Sequence, residues 1–153
     1  MTEDHAGDQP NIGLLCFIVY RAMEARVLAD LTAAGFGDTT AAQGRVFARI
    51  DPDGTRLTDL AERALITKQT AGFLVDQLER AGYVRRVPDP RDARARLVQI
   101  AERGRTAVEV ARQTEAKVEA EWTAHLGQEA TTQLRHALIR LREITDPYHC
   151  PSR

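Results

Sequence analysis

The stretch TKQTAGFLVDQLERAGYVRRVPDPRDARARLVQI, from Thr67 to Ile100, decides the fold of this chain. Its first half has apolar residues at helical spacing, begins with a threonine suited to an N-cap, and ends at Gly82, which suits the position just after a helix. Its second half contains two short apolar runs, Tyr83–Val87 and Leu97–Ile100, which predict two strands. The tip between them, Pro88–Arg96, is rich in arginine. The stretch therefore predicts a helix followed by a basic two-stranded flap with a long tip.

A short helix precedes this unit. Thr55 can cap the segment RLTDLAERA at residues 56–64, and the link Leu65–Ile66 leads to the helix that begins after Thr67. Two helices joined by a turn of about three residues form the helix-turn-helix arrangement. The next helix upstream is predicted from Ala41 to about Ile50, capped by Thr39 or Thr40.

Long helical patterns flank this unit on both sides. One runs from Asn11, an N-cap residue, to about Ala34, and another begins beyond Gly104, breaks near Gly127 and stops at Pro147. These helices are longer than a small winged module needs, so their apolar stripes require a partner surface. A second copy of the chain is the expected partner. The alternative is that these helices pack only on each other.

Length and composition fit one globular domain. The chain has 153 residues, of which 43% are hydrophobic and 28% charged. No apolar run has the length of a membrane span, and the polar, acidic start lacks the features of a secretory signal. Two cysteines, Cys16 and Cys150, are too few for a disulfide scaffold, so we expect a reducing cytoplasm and no membrane partner. We expect a flexible tail at 1–10 and a single domain at 11–153.

Positive charge is concentrated in the middle of the chain. Residues 56–105 carry eleven Lys or Arg against seven Asp or Glu, whereas residues 1–55 carry four against eight. A basic segment alone is weak evidence of a partner, because it can be a solvated face. It becomes informative when the same segment has a shape that fits a nucleic acid groove.

The first turn of the Thr67 helix has the groups that duplex DNA would need. Thr67 and Thr70 supply hydroxyls and Lys68 an ammonium group for phosphate oxygens, and Gln69 can present a paired donor and acceptor to adenine. The alternative is that the threonines only cap the helix and Lys68 is solvated. Phe73 points away from the predicted core, Ala71, Leu74, Val75 and Leu78. It either contacts thymine methyl groups or packs under a neighbouring loop or the flap.

The tip of the flap brings Arg91, Arg94 and Arg96 close together. Guanidinium groups fit a narrow minor groove and phosphate oxygens well. Asp92, two residues before Arg94, is expected to hold that side chain extended through a local ion pair. If the tip were only a solvated loop, five arginines within residues 85–96 would have no evident use.

The segments Leu57–Ala64, Thr67–Val84 and Asp89–Ile100, followed by Glu102–Arg105, resemble the MarR-type winged helix-turn-helix regulators of bacteria. The wing pattern of that family matches Asp92-Ala93-Arg94 followed by a hydrophobic strand. The resemblance implies a mainly α fold with a small β-hairpin wing. The winged helix-turn-helix lobe would occupy about 40–100, and the long N- and C-terminal dimerisation helices about 11–34 and 102–146.

The same resemblance carries expectations about function. It implies a homodimer that places two recognition helices in successive major grooves of a pseudo-palindromic operator on double-stranded DNA. It implies repression in most members of the family and activation in some. It also implies release by a small aromatic effector that binds between the dimerisation helices and the DNA-binding lobe.

Two alternative functions stay open. The segment around Cys16 resembles the start of the peroxide-sensing OhrR branch, in which a cysteine lies near a tyrosine hydroxyl, and Tyr20 is one helical turn after Cys16. Asp30 stands where that branch has a second tyrosine, and a cysteine on an apolar helix face usually serves packing. The other alternative is a helical dimerisation module without specific DNA binding. No motif of an enzyme, a metal site or a cofactor is evident, so we expect no catalytic activity and no cofactor.

Overall fold

A computed structural model describes residues 9–149. The expected tail at 1–10 therefore lies almost entirely outside the described residues, as does Cys150. The elements, in chain order, are α1 (Ile12–Ala33), α2 (Ala41–Phe47), β1 (Thr55–Arg56), α3 (Leu57–Arg63), α4 (Lys68–Arg80), β2 (Val84–Asp89), β3 (Asp92–Ile100), α5 (Glu102–Leu126) and α6 (Gln128–Thr145). This confirms the prediction of a mainly helical chain with a small β wing. Within 9–149, no helix combines the length and the apolar character that crossing a membrane requires.

Three helices begin at the N-caps that the sequence predicts. The Asn11 side chain accepts a hydrogen bond from the Leu14 N–H at 2.9 Å, and the Thr67 hydroxyl accepts one from the Thr70 N–H at 3.1 Å. Thr40 forms a reciprocal capping box with Gln43 at the start of α2. At the other end of α4, Gly82 has φ +81°, a backbone conformation that favours glycine.

The region before α3 differs from the prediction. Thr55 does not cap α3, because it lies in β1, which pairs antiparallel with β3 through Thr55↔Val98. Its hydroxyl accepts a hydrogen bond from the Asp51 N–H at 2.8 Å, and α3 begins after Arg56 without a side-chain cap. The flap is therefore a three-stranded sheet in the order β1-β3-β2. In addition, α2 ends at Phe47, three residues earlier than predicted.

The hydrophobic core lies under α4 and the base of the sheet. The predicted inner face of α4, Ala71, Leu74, Val75 and Leu78, is buried. These side chains pack with residues from the other elements of the lobe, including Val46, Leu60, Tyr83 and Val98. Each fully buried Leu or Val side chain contributes about 1.5–3 kcal/mol. This packing fixes α4 so that its opposite face meets solvent.

The start of α5 lies directly against the base of the sheet. A Cβ added at Gly104 would lie 2.2 Å from the Tyr83 carbonyl oxygen, which is closer than real Cβ atoms come to any heavy atom. The Arg103 guanidinium stacks over the Tyr83 ring at 4.3 Å and donates to Asp38, which also accepts from the Tyr83 hydroxyl at 2.5 Å. Glycine at position 104 thus sets the angle at which α5 leaves the lobe.

The outer helices lie against each other but leave apolar faces open. α1 packs along α5, where Arg26 donates two hydrogen bonds of 3.0 Å to Glu121. α6 has 18 residues and none of them is buried. Large hydrophobic side chains are exposed along α6 and the first half of α1: Ile12, Leu14, Leu15, Phe17, Ile18, Val19, Tyr20, Leu134, Leu138, Ile139, Leu141 and Ile144.

Candidate nucleic-acid interface

The first turn of α4 is open to solvent. Thr67, Lys68, Gln69 and Thr70 are all exposed. The Thr67 hydroxyl accepts a hydrogen bond from the Thr70 N–H and so caps the helix as predicted, while the Thr70 hydroxyl lies 2.8 Å from that of Thr67. Within residues 9–149, the side chains of Lys68 and Gln69 make no hydrogen bond or ion pair. Their donors and acceptors are therefore available to an external partner.

Phe73 follows one turn later on the same open face. Its side chain is 59% exposed. The alternative that it packs beneath the wing or a neighbouring loop is therefore wrong in this chain. A large aromatic side chain left in water beside a polar helix end is suited to an apolar contact with a partner, such as a thymine methyl group.

The wing is tighter than the sequence predicts. β2 and β3 extend almost to the end of the hairpin, so that only Pro90 and Arg91 join them and the expected long tip at 88–96 is wrong. Pro88 pairs with Arg96 and Asp89 with Asp92, so residues 93–95 form an irregularity in β3. This places Arg91 at the tip, with its side chain 82% exposed.

Asp89 holds this tip together. Its carboxylate is buried and accepts hydrogen bonds from the Arg91 backbone N–H at 2.9 Å and from Arg56 Nε at 2.8 Å. These two contacts, the backbone one first, lower the pKa of Asp89 below its ordinary value. Arg56 comes from β1, 33 residues earlier, so the sequence pattern did not reveal this pair. The only local signal is an aspartate immediately before a proline at a hairpin turn.

Asp92 has a different role from the one predicted. Its carboxylate accepts a hydrogen bond from the Arg94 backbone N–H at 3.1 Å and lies 3.9 Å from Arg56 Nη2. The expected ion pair with the Arg94 side chain does not form in the described part of the chain. Asp92 therefore supports the backbone of the wing, and the exposed guanidinium groups of Arg94 and Arg96 have no acidic partner among those residues.

The two arginines on the incoming strand are already engaged. Arg86 forms ion pairs with Asp76 at 2.7 Å and with Glu79, both on α4. Arg85 donates to Gln99 at 3.2 Å on the neighbouring strand. Arg86 thus neutralises the carboxylates on α4 that would repel a phosphate backbone. Positive charge without an acidic partner among the described residues is thus present at the wing tip and at the first turn of α4.

A cavity of about 340 Å³ lies between the long helices and the lobe. Its walls come from α1, α2 and α5, with Leu78 of α4 and Tyr83 at its base, and they are mainly apolar. Glu24 in its wall accepts from Arg45 at 2.7 Å, which lowers the pKa of Glu24. On α5, burial raises the pKa of Glu115. The sequence resemblance implies a site at this place, but its lining residues could not be identified from the sequence, because they come from distant parts of the chain.

Cys16 and Tyr20 lie on α1 near this region. Cys16 is an exposed free cysteine and makes no hydrogen bond within 9–149. The Tyr20 hydroxyl donates to Glu24 Oε1 at 3.3 Å, and burial followed by the Glu24 charge raises the pKa of Tyr20. The Tyr20 hydroxyl is therefore hydrogen-bonded to Glu24 and not to Cys16. Peroxide sensing by Cys16 stays a prediction.

A helix-turn-helix followed by a basic three-stranded wing defines a winged helix-turn-helix protein. A family model described as "MarR family" matches residues 38–95, which include α2, α3, α4 and most of the wing. This match lies within the helix-turn-helix lobe and agrees with the resemblance to MarR-type regulators that the sequence shows.

Individual proteins are similar to this chain in sequence or in fold. The chain is 35% identical over 94 residues to "Transcriptional activatory protein BadR" of Rhodopseudomonas palustris. That match covers 61% of this chain and 53% of BadR, so the chain spans about half the length of this curated relative. The crystal structure of transcriptional regulator PA4135 has a TM-score of 0.69 and 26% identity, and the match covers 89% of this chain and 98% of that one. A mutant of MepR from S. aureus, solved bound to an oligodeoxyribonucleotide, has a TM-score of 0.57 and 20% identity over 90% of this chain and all of MepR.

Proposed function

We propose that this protein is a cytoplasmic transcriptional regulator that binds double-stranded DNA as a homodimer and is released by a small, aromatic effector. One observation carries the DNA-binding part of this proposal. Unengaged polar groups occur at both places where a winged helix-turn-helix meets a duplex, the first turn of α4 and the tip of the wing. The oligodeoxyribonucleotide bound to MepR and the names of BadR and PA4135 support the same function.

Each residue has a distinct role in this proposal. Lys68, Thr67 and Thr70 contact phosphates, and Gln69 and Phe73 contact base edges in the major groove. Arg91, Arg94 and Arg96 bring positive charge to the adjacent backbone or minor groove. Asp89 and Asp92 keep the wing in shape. Phosphate contacts give affinity and salt dependence, whereas base contacts give sequence preference.

The exposed apolar faces of α1 and α6 support a homodimer. Monomeric proteins rarely leave large contiguous apolar surfaces in water, and a symmetric pair would cover both faces at once. Two recognition helices would then lie about one helical turn of DNA apart, which requires an operator with approximate twofold symmetry. The unit of recognition is therefore a pseudo-palindrome.

The cavity supports control by an effector. An apolar space of this size between helices is suited to a small aromatic compound. We propose repression as the sign of regulation, because a bound dimer can block a promoter without any further contact. The name of BadR, an activatory protein, points the other way. A reporter gene read with and without the regulator decides the sign, and higher expression in its presence would contradict repression.

Selection of bound duplexes from random DNA tests the proposal, followed by gel shifts over a range of salt concentrations. Arg94→Ala should weaken binding to all sequences and reduce the slope of log affinity against log salt by about one. Gln69→Ala should change base preference, with about 1–3 kcal/mol of discrimination lost at one position. Lys117→Ala, on the exposed surface of α5, is the control for removal of one positive charge.

Three results would contradict the proposal or one of its parts. Failure of the wild-type chain to bind any duplex at low salt would favour the protein-interaction module instead. If Arg94→Ala behaved like wild type, the wing would have no part in binding. If Gln69→Ala weakened binding uniformly across sequences, the assignment of Gln69 to base recognition would be wrong.

A further inference from the structure

The side chain of Gln43 forms a hydrogen bond between the wall of the cavity and the recognition helix. Gln43 lines the cavity, belongs to α2, and is 7% exposed. Its Nε2 donates to Gln77 Oε1 on α4 at 2.9 Å. Its Oε1 accepts from the Thr40 N–H at 3.0 Å, and its own backbone N–H donates to the Thr40 hydroxyl at 3.2 Å. The buried Gln43 amide thus links the wall of the cavity to the start of α2 and to Gln77 on α4.

This amide has little freedom to move without consequence. Buried polar groups that lose a partner are costly, so the Gln43 side chain cannot leave Gln77 unless another partner replaces it. The same cavity is bordered by Gly44, Phe47 and Leu78, so an occupant would press on α2 and on the residue next to Gln77. A change in the cavity can therefore reach α4 by two routes, directly at Leu78 and through Gln43, by contact with its side chain or by competition for its amide.

We propose that the Gln43–Gln77 hydrogen bond couples occupancy of the cavity to the position of the recognition helix. The bond holds α4 against α2 in the DNA-binding state, and an occupant that displaces Gln43 releases α4. Gln43 is a positioning residue, since it acts through Gln77 and touches no DNA group itself. The best occupant has an apolar body and one hydrogen-bonding group able to replace Gln77. This proposal rests on the proposed function, because it concerns regulation of the same DNA-binding head.

A covalently attached occupant tests the coupling without knowledge of the natural effector. Ala111 lines the cavity from α5, and Ala111→Cys in the full-length chain, combined with Cys16→Ser and Cys150→Ser, gives one thiol for labelling. Benzyl methanethiosulfonate fills the cavity with an aromatic group, whereas methyl methanethiosulfonate leaves it nearly empty. Gln77→Met removes the bond but leaves the Gln43 capping box intact, so it is less disruptive than Gln43→Met. Gln113→Met, at an exposed glutamine of α5, is the matched control.

The benzyl label should weaken binding to the selected duplex about tenfold relative to the methyl label, a typical coupling between two sites. In the Gln77→Met and Gln43→Met backgrounds this difference should fall below about twofold, and in Gln113→Met it should persist. A purely structural role for Gln43 would change affinity equally with both labels. An equal effect of the benzyl label with and without Gln77, or no effect in either background, would overturn the proposal.

Hydrogen exchange of the α4 amides separates this proposal from the proposed function. The benzyl label should accelerate exchange in residues 68–80 only in chains that retain Gln43 and Gln77. This readout does not require DNA. If the chain bound no duplex, the proposed function would fail, and accelerated exchange would still support the coupling. Unchanged exchange in a chain that does bind DNA would refute the coupling alone.

Discussion

At the scale of single residues, the wing depends on a carboxylate that does not touch DNA. A buried aspartate is stable only when it is paired and hydrogen-bonded, and Asp89 has both kinds of partner in Arg56 and the Arg91 N–H. The exposed Arg91 and Arg94 can be pre-positioned only if this buried contact keeps the turn in one conformation. The arginines proposed to bind DNA thus depend on a buried residue of the same wing.

Substitution of this carboxylate should affect DNA binding more than folding. In Asp89→Asn the side chain keeps its size but loses its charge, so Arg56 loses its partner and the hairpin tip loosens. We expect a loss of affinity at least as large as that of Arg94→Ala, together with faster hydrogen exchange in residues 89–96. Asp92→Asn, which changes an exposed carboxylate three residues away, is the matched control and should have a smaller effect.

The same residue gives the wing a defined response to acid. Because the folded-state pKa of Asp89 is lowered, its contribution is complete above the ordinary aspartate pKa and is lost as the pH falls through the folded value. Protection factors at the wing tip, which compare the observed exchange rate with the intrinsic rate at the same pH, should therefore fall in acid for the wild type and be low at every pH for Asp89→Asn. A flat profile in the wild type would show that Asp89 does not hold the tip.

At the scale of elements, most of the predictions that rest on local signals are confirmed. The caps at Asn11, Thr40 and Thr67 and the glycine after α4 each depend on neighbours within a few residues, and all of them are confirmed. β1 was missed because two residues give no periodicity, and its pairing with β3 joins positions 43 residues apart. The Thr55 hydroxyl, predicted as a cap, is used by the Asp51 N–H instead.

In the candidate site, too, local features could be predicted from the sequence, whereas contacts between elements could not. Exposed, unpaired donors such as Lys68, Gln69 and Arg94 can be found from residue type and helix face. The Asp89–Arg56 pair, the neutralisation of Asp76 by Arg86 and the lining of the cavity depend on contacts between elements. Residue type also misleads at the wing. Asp92, the acidic residue nearest to Arg94 in sequence, accepts a hydrogen bond from the Arg94 backbone N–H, whereas Asp89 forms an ion pair with Arg56.

The junction between α5 and the sheet gives a prediction at this scale. In Gly104→Ala the new methyl would overlap the Tyr83 carbonyl, a backbone atom that cannot rotate away, so α5 has to shift. We expect destabilisation of about 1–3 kcal/mol, measured as a lower urea midpoint. Gly44→Ala is the control, because the same change in α2 meets no atom within 4 Å and should stabilise the helix by about 0.5–1 kcal/mol. Equal midpoints for the two variants would contradict close packing at Gly104.

At the scale of the whole molecule, α6 connects the open apolar face to the DNA-binding lobe. Asp146, at the end of α6, pairs with Arg49 at 2.9 Å and with Arg142 at 3.0 Å, and these contacts lower the pKa of Asp146 to about 2. Tyr148 donates to Glu62 on α3 and lies beneath the Arg63 guanidinium. The helix that would bind a second subunit is therefore bonded to the helix-turn-helix of its own chain, so the proposed dimerisation and the proposed DNA binding would be mechanically linked.

The exposed apolar face of α6 leads to a prediction about the oligomeric state of the protein. Leu138→Glu places a charge in the middle of the exposed apolar face of α6, where it adds nothing unfavourable to a monomer but would be buried without a partner in a dimer. We expect light scattering to give twice the chain mass for the wild type and the single-chain mass for this variant. Binding to the selected pseudo-palindrome should weaken strongly, because each half-site is then bound separately.

The control and the contradicting result are equally defined. Ala116→Glu adds the same charge to the exposed surface of α5 and should leave both mass and affinity unchanged. Leu138 lies outside the buried core of the lobe, so its variant should keep the hydrogen exchange of α4 close to that of the wild type. A Leu138→Glu chain that stayed dimeric would move the interface away from this face. A wild type that was monomeric would mean that the outer helices pack only on each other, leaving the exposed leucines of α6 in water.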